Sequence, residues 1–342
     1  MRPWPTIDVL LPVYNESSLI LAKLENLERV EYPEGQLRFI VVDGGSTDDT
    51  CAIVQRWSLT SSRPVLLIHA AAGKVRQLRT ALHASDADWV LVTDADARLA
   101  PSALVDLARV AQAGDVQAVG TAIEPFTAHP IDRWHWRLSN WLRRLEARCG
   151  SAGVVVGPCY LVRRSVLEAL DDEVAVDDVF VSCQVALAGG RIGMAATTVT
   201  ELRAPLTLGE LMAHKHRKSL GYLREAFRFL PHVRAMQGVA RHAYVARLAL
   251  LLLLPWPAIG LMLALGYAVA TYGATALVVA VAGTAAMAAL MHSRTRIASA
   301  VALIAFLPVV GAALALAAIS YPFVRSTDRY PRVGVGTLGE SS

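Results

Sequence analysis

The stretch Trp89-Val90-Leu91-Val92-Thr93-Asp94-Ala95-Asp96 reads as a buried strand that ends on a turn bearing two carboxylates. Three similar apolar runs precede it, at Ile7-Asp8-Val9-Leu10-Leu11, Phe39-Ile40-Val41-Val42 and Val65-Leu66-Leu67-Ile68. Amphipathic helical patterns follow each run, over 17–29, 47–57, 74–84 and 101–113, and a fifth apolar run lies at 116–122. Strand–helix alternation of this kind predicts an α/β fold, a mainly parallel sheet with flanking helices. Ligands of such sheets bind in the loops after the carboxyl ends of the strands. The conspicuous polar groups fall there: Tyr14-Asn15-Glu16, Asp43-Gly44-Gly45-Ser46, Gly73-Lys74 and Asp94-Ala95-Asp96.

Composition sets a second boundary. The 342 residues are 54% hydrophobic and only 18% charged, against roughly 25% charged in soluble domains, and the mean hydropathy is +0.40. Leu248–Met291 and Ile297–Val324, 44 and 28 residues, contain no Asp, Glu, Lys or Arg. At about 20 residues per membrane helix, about three spans are expected. A disordered chain, a fully soluble enzyme and a disulfide-rich secreted module are excluded. A net charge of +4 is too small to call for nucleic acid. The four cysteines show no metal-ligand spacing and fit a reducing compartment. No apolar leader precedes Ile7. Arg241 and Arg247 before the first apolar run, with Arg294 and Arg296 between the later ones, place the catalytic part in the cytosol. Arg325, Arg329 and Arg332 in the tail pull mildly against three spans, and Pro308 and Gly311 allow a re-entrant hairpin in the last run. The expected layout is 1–221 catalytic, 222–247 basic and juxtamembrane, 248–325 transmembrane and 326–342 tail.

Two carboxylates one residue apart on a tight turn offer hard oxygen ligands to Mg²⁺ or Mn²⁺, with phosphates supplying others. Such an ion would neutralise a departing diphosphate. Asp43 is suited to accept a hydrogen bond from a base imide N–H. The position where a dinucleotide-binding chain needs GxGxxG holds Pro12-Val13-Tyr14-Asn15-Glu16 instead. Asp171, Asp172, Glu173, Asp177 and Asp178 precede a helix beginning near Val179, where capping and general-base work are both open. Lys215, Arg217 and Lys218 offer cations to a diphosphate. The Trp- and Arg-rich helix over 131–148 suits either a bilayer surface or a core.

In this order the motifs resemble glycosyltransferase family 2, inverting nucleotide-sugar transferases of GT-A fold. The likeness runs over about residues 7–221: Pro-Val-Tyr-Asn-Glu, Val-Asp-Gly-Gly-Ser-Thr-Asp, Gly-Lys with Gln77-Leu78, Asp-Ala-Asp, Gly157–Arg164, Asp177-Asp178, and Ala204–Leu208 with the basic segment. It implies Pro12, Tyr14 and Glu16 near the nucleotide, Asp43 on the base, and Lys74 near the phosphates. It further implies Asp94 on nucleotide or metal, Asp96 on the metal, and Asp178 as general base, with Asp177 where Glu is usual. His214-Lys215-His216-Arg217-Lys218 stands where membrane synthases carry Gln-x-x-Arg-Trp, so Arg217 is kept and the Gln and Trp are not. Arg79 replaces a common Asn. The expectation is a metal-dependent, multi-pass glycosyltransferase of the inner or plasma membrane. It would move a sugar from a nucleoside-diphosphate sugar, a UDP-sugar by preference, to a lipid or lipid-linked glycan. The rivals are a processive exopolysaccharide synthase and a non-catalytic nucleotide-binding membrane scaffold. A small transporter is disfavoured, because its spans should carry functional charges and these runs have none.

Overall fold

A computed structural model describes residues 3–292 and 296–321. Arg294, Arg325, Arg329 and Arg332, and the tail 326–342, lie outside the described residues. The chain forms two compact units. The first comprises the chain to Phe126, Asn140–Leu202 and Glu225–Val245; the second comprises Thr127–Ser139, Arg203–Arg224 and the chain from Ala246.

The first unit carries an eight-stranded sheet. Its strands are β1 (Ile7–Val13), β2 (Leu37–Asp43), β3 (Val65–His69), β4 (Trp89–Thr93), β5 (Ala97–Arg98), β6 (Ala118–Pro125), β7 (Cys159–Arg163) and β8 (Ile192–Glu201). Their spatial order is β3-β2-β1-β4-β7-β6-β8-β5. β1, β2, β3 and β4 pair in parallel. β7 runs antiparallel between β4 and β6, β8 pairs parallel with β6, and β5 closes the edge antiparallel to β8. The predicted sheet is therefore mainly parallel in its first half and mixed in its second. A mixed sheet with flanking helices bears out the expected α/β class.

The central strands are buried along their length, as continuous Val/Ile/Leu runs require when helices cover both faces. Helices α1 (Ile20–Glu28), α2 (Thr50–Ser58), α3 (Lys74–His83) and α4 (Ala103–Ala113) each start a few residues after the strand that feeds them. α3 lays Gln77, Leu78, Ala81 and Leu82 on the sheet, the i, i+1, i+4, i+5 face of an amphipathic helix. The amino end of the sheet is pinned by buried Asp8, which accepts from Arg38 at 2.9 and 2.6 Å and from the Ser85 hydroxyl at 2.6 Å. The carboxyl end is thus left to the functional loops.

Further along come α5 (Pro130–Arg148), α6 (Arg164–Leu167), α7 (Asp177–Leu187), α8 (Leu208–Phe229), α9 (Gly238–Leu253), α10 (Pro255–Tyr272), α11 (Ala274–His292) and α12 (Arg296–Ser320). Gly273, at a φ of 60°, breaks the long uncharged run between α10 and α11. α12 runs on through Pro308, so a helix stands where a re-entrant hairpin was considered. Gly311 lets α12 approach α10: a Cβ there would lie 2.6 Å from the Leu254 carbonyl oxygen. Among the described residues, one helical segment, Gly238–Tyr272, is long and apolar enough to cross a membrane. Ala274–Gly283 and Pro308–Ser320 are shorter apolar stretches. That is one candidate span where about three were expected.

Candidate active site

The first two strand-end loops are laced together by backbone N–H groups donating to side-chain oxygens. Asn15 takes a left-handed conformation (φ 51°). There its N–H donates to the Ser46 hydroxyl at 2.8 Å, and its side-chain oxygen accepts from the Thr47 N–H at 2.8 Å. The Glu16 N–H donates to Thr50 Oγ1 at 2.7 Å, and the Glu16 side chain is buried. Tyr14 stays exposed beside it, and Pro12 sits half-buried near the end of β1. Below the loops Gln77 is buried and its amide donates to the carbonyls of Val13 and Val42, each at 2.7 Å. One side chain of α3 therefore ties the last turns of β1 and β2.

Asp43 is buried at the end of β2, yet its carboxylate is held in a cradle of donors. The N–H of Gly45 reaches it at 2.9 Å and that of Ser46 at 3.0 Å. Burial opposes the charge, but the Ser46 and Gly45 donors outweigh it and keep the carboxyl below its ordinary value. Gly45 needs its positive φ of 86° to turn the N–H inward.

Asp94 and Asp96 stand half-buried on the turn between β4 and β5. The turn is fixed at several points. The Asp94 N–H donates to the Pro158 carbonyl at 3.1 Å, the Ala97 N–H to the Asp94 carbonyl at 3.2 Å, and the Leu202 N–H to the Asp96 carbonyl at 2.9 Å. Beneath it lies Lys23, fully buried, whose ammonium donates to Thr93 Oγ1 at 2.9 Å and to the Ala97 carbonyl at 2.7 Å.

Lys74 opens α3 and joins this turn to the acidic pair. Its ammonium is 2.8 Å from Asp94 Oδ1 and 3.3 Å from Asp177 Oδ2, and it donates to the Gly157 carbonyl at 3.1 Å. Burial lowers its pKa, but Asp177 and Asp94 more than reverse this and hold it above the ordinary lysine range. Asp177 also accepts from the buried Tyr160 hydroxyl at 2.7 Å. Asp178, buried in the first turn of α7, accepts the Gly157 N–H at 2.7 Å and its own helix's Val179 N–H at 2.8 Å. A Cβ on Gly157 would meet Asp178 Oδ2 at 3.3 Å and Lys74 Nζ at 3.6 Å. Thus Lys74, Asp94, Asp177 and Asp178 share one place in the first unit, although 104 residues separate the first from the last.

Lys215 and Arg217 belong to the second unit, on α8. Lys215 is buried and 2.7 Å from Asp132, itself buried at the start of α5. Its neighbour Lys218 lies over the Trp136 ring, 5.5 Å from the centroid. A carboxylate therefore balances the Lys215 charge within that unit, while Arg217 is half-buried.

Lys23 and Gln77, which the motifs give no role, carry this geometry together with Asp177, the neighbour of the expected general base. For Lys23 a signal was available, since it lies three residues after Ile20 and four before Leu27, on the apolar face of α1. A lysine on such a face asks for a buried acceptor.

A family model described as Glycosyl transferase family 2 matches residues 8–171. The chain is 29% identical over 300 residues to an N-acetylglucosaminyltransferase of Rhizobium sp. (strain N33), covering 75% of this chain and 65% of that protein. It is 32% identical over 184 residues to an N-acetylglucosaminyltransferase of Mesorhizobium japonicum, covering 50% and 42%. The chain spans less than two thirds of the length of these curated relatives. Among solved structures it is similar to the mannosyltransferase PcManGT from Pyrobaculum calidifontis in complex with GDP-Man and Mn²⁺. The TM-score is 0.74 at 24% identity, covering 94% of this chain and 88% of that one.

Proposed function

We propose that the chain is a glycosyltransferase, a reading supported by the glycosyl transferase family 2 match over residues 8–171, and that it transfers N-acetylglucosamine from its UDP-sugar to a hydroxyl of a lipid or lipid-linked glycan, with inversion at the anomeric carbon. The names of the relatives support the sugar. Asp43 reads the base, with Pro12, Tyr14 and Glu16 shaping the nucleotide's bed. Lys74 faces the diphosphate. The Lys215 charge is already met by Asp132, so its part is to support α8.

Asp178 accepts the proton of the acceptor hydroxyl as that oxygen attacks the anomeric carbon and the nucleoside diphosphate leaves from the opposite face. Asp94 and Asp96 present only hard oxygens on one backbone-fixed turn, a donor set that fits Mg²⁺ or Mn²⁺. A divalent ion held there supplies positive charge to the leaving diphosphate. The observation that carries the reading is the Lys74 ammonium, 2.8 Å from Asp94 and 3.3 Å from Asp177, the residue next to Asp178.

The apolar segment Gly238–Tyr272 anchors the enzyme in the cell membrane, with the sheet in the cytosol, and this directs it toward acceptors dissolved in the bilayer. The long uncharged runs support this attachment.

Membranes containing the chain, supplied with a panel of labelled nucleotide sugars and Mn²⁺, should move label from UDP-N-acetylglucosamine into lipid-extractable product. Asp96→Ala and Asp178→Asn should each abolish transfer while membrane insertion persists. Full activity in both variants would refute the assignment. A ladder of products would replace single transfer by processive synthesis.

A further inference from the structure

A second constellation surrounds Asp43, away from the Lys74 network. Asp43 ends β2, Cys51 lies in the first turn of α2, and His69 ends β3. The sheet register sets Asp43 directly opposite His69. A carboxylate oxygen, the Cys51 sulfur and a His69 ring nitrogen all lie within 4.8 Å of one another.

The spacing has a specific meaning. His69 Nδ1 is 3.4 Å from Asp43 Oδ2. Bonds of about 2.0–2.1 Å at a tetrahedral angle put oxygen and nitrogen ligands of one zinc ion about 3.4 Å apart. The Cys51 sulfur lies within 4.8 Å of the same carboxylate. Thiolate, imidazole and carboxylate together form the mixed donor set that Zn²⁺ takes, whereas Asp94 and Asp96 offer only the hard oxygens that Mg²⁺ and Mn²⁺ prefer. Burial grades outward from Asp43 (buried) through Cys51 (half-buried) to His69 (exposed), so a cation reaches the group from solvent past the imidazole.

We propose that Asp43, Cys51 and His69 form a binding site for a thiophilic divalent cation of the Zn²⁺ class, with the fourth tetrahedral position open to water. On binding, the Cys51 S–H bond breaks, a sulfur–metal bond forms, and the proton passes to solvent. A metal held here engages the Asp43 carboxylate. The inhibitory consequence, though not the site itself, rests on the reading of Asp43 as the group that accepts from the base: the cation then competes with the nucleotide.

Co²⁺ serves as the probe, because its thiolate complex has a charge-transfer absorption that oxygen sites such as Asp94 and Asp96 do not produce. Titrating the purified full chain should develop this band to one equivalent. Cys51→Ser should abolish it, and His69→Ala should weaken Co²⁺ binding by at least about 100-fold, beyond the roughly 10–100-fold cost of losing an outer partner. Asp96→Ala should leave it intact. No band in the native chain, or a band that survives Cys51→Ser, overturns the proposal. Saturating UDP should suppress the band. A band that UDP leaves unchanged upholds the metal site and overturns the role of Asp43 in base recognition.

Discussion

The ammonium of Lys74 lies 2.8 Å from the carboxylate of Asp94, and the same ammonium reaches Asp177 at 3.3 Å. One cation at the start of α3 thereby holds the turn after β4 against the first turn of α7. Lys74→Met removes that charge and leaves two carboxylates with no cation between them. Transfer should fall by roughly 100-fold, the scale seen when a positioned electrostatic group is lost. Lys74→Arg, which keeps the charge, should retain part of the rate. Initial rates with UDP-N-acetylglucosamine and Mn²⁺ check this, and a Lys74→Met enzyme as fast as the parent would sever the link from function.

Tyr160 tests the far side of the same network. Its hydroxyl donates to Asp177 at 2.7 Å from a fully buried ring, and burial, followed by the charges of Asp177, Asp178 and Asp94, raises its pKa well above that of an ordinary phenol. Tyr160→Phe deletes one hydrogen bond to a charged group, a loss of about 1.5–3 kcal/mol. Asp177→Asn should reduce transfer more than Tyr160→Phe does, since it also takes a counter-charge from Lys74. Chemical denaturation paired with rate measurements separates the two effects. The reverse ranking of rates would count against Asp177 as the residue that positions Lys74.

Gly44 and Gln77 form a steric pair. A Cβ at Gly44 would sit 3.1 Å from Gln77 Cδ and Nε2, and the Gln77 amide has no room to yield without losing the Val13 and Val42 carbonyls. Gly44→Ala and Gln77→Ala should each destabilise the fold, by about 1–3 kcal/mol where a buried acceptor loses its donor. Because they act on one contact, the double variant should cost less than the sum. Strict additivity in a denaturation cycle would show that the two positions are independent.

The part of the fold legible in the sequence is the part governed by short-range pattern. β1 to β4 and the helices after them follow from apolar runs and 3.6-residue periodicity. The second half of the sheet does not, because β7 inserts antiparallel between β4 and β6 through pairings that no local pattern encodes. The site divides in the same way. Asp94, Asp96, Lys74 and Asp43 stand at strand ends, where polar residues stand out against apolar neighbours. Asp177 needed the β4–β7 pairing before it could be seen beside Lys74. The pairing of Lys215 with Asp132 joins two helices 83 residues apart, so its basic neighbourhood suggested a free cation where a neutralised one is found.

Lys23 gives the prediction with the clearest sign. Burial, aided by the positive charge of Arg98, pulls its ammonium down to about 7 despite the nearby Asp94 and Asp96. In the unfolded chain the same group titrates near about 10.4. Between these values the unfolded state binds the extra proton, so this group's contribution to stability rises as pH is raised from about 7 toward about 10.4. The slope is at most about 1.4 kcal/mol per pH unit. Below about 7 both states hold the proton and the contribution is flat. Lys23→Met lacks this titration, and it also frees Thr93 and the Ala97 carbonyl at the two ends of the turn that bears Asp94 and Asp96. Denaturation midpoints of parent and variant, compared at pH 6, 7, 8 and 9, should therefore diverge in the parent's favour as pH rises above 7. A constant difference across that range would mean that the buried ammonium keeps its ordinary affinity for protons.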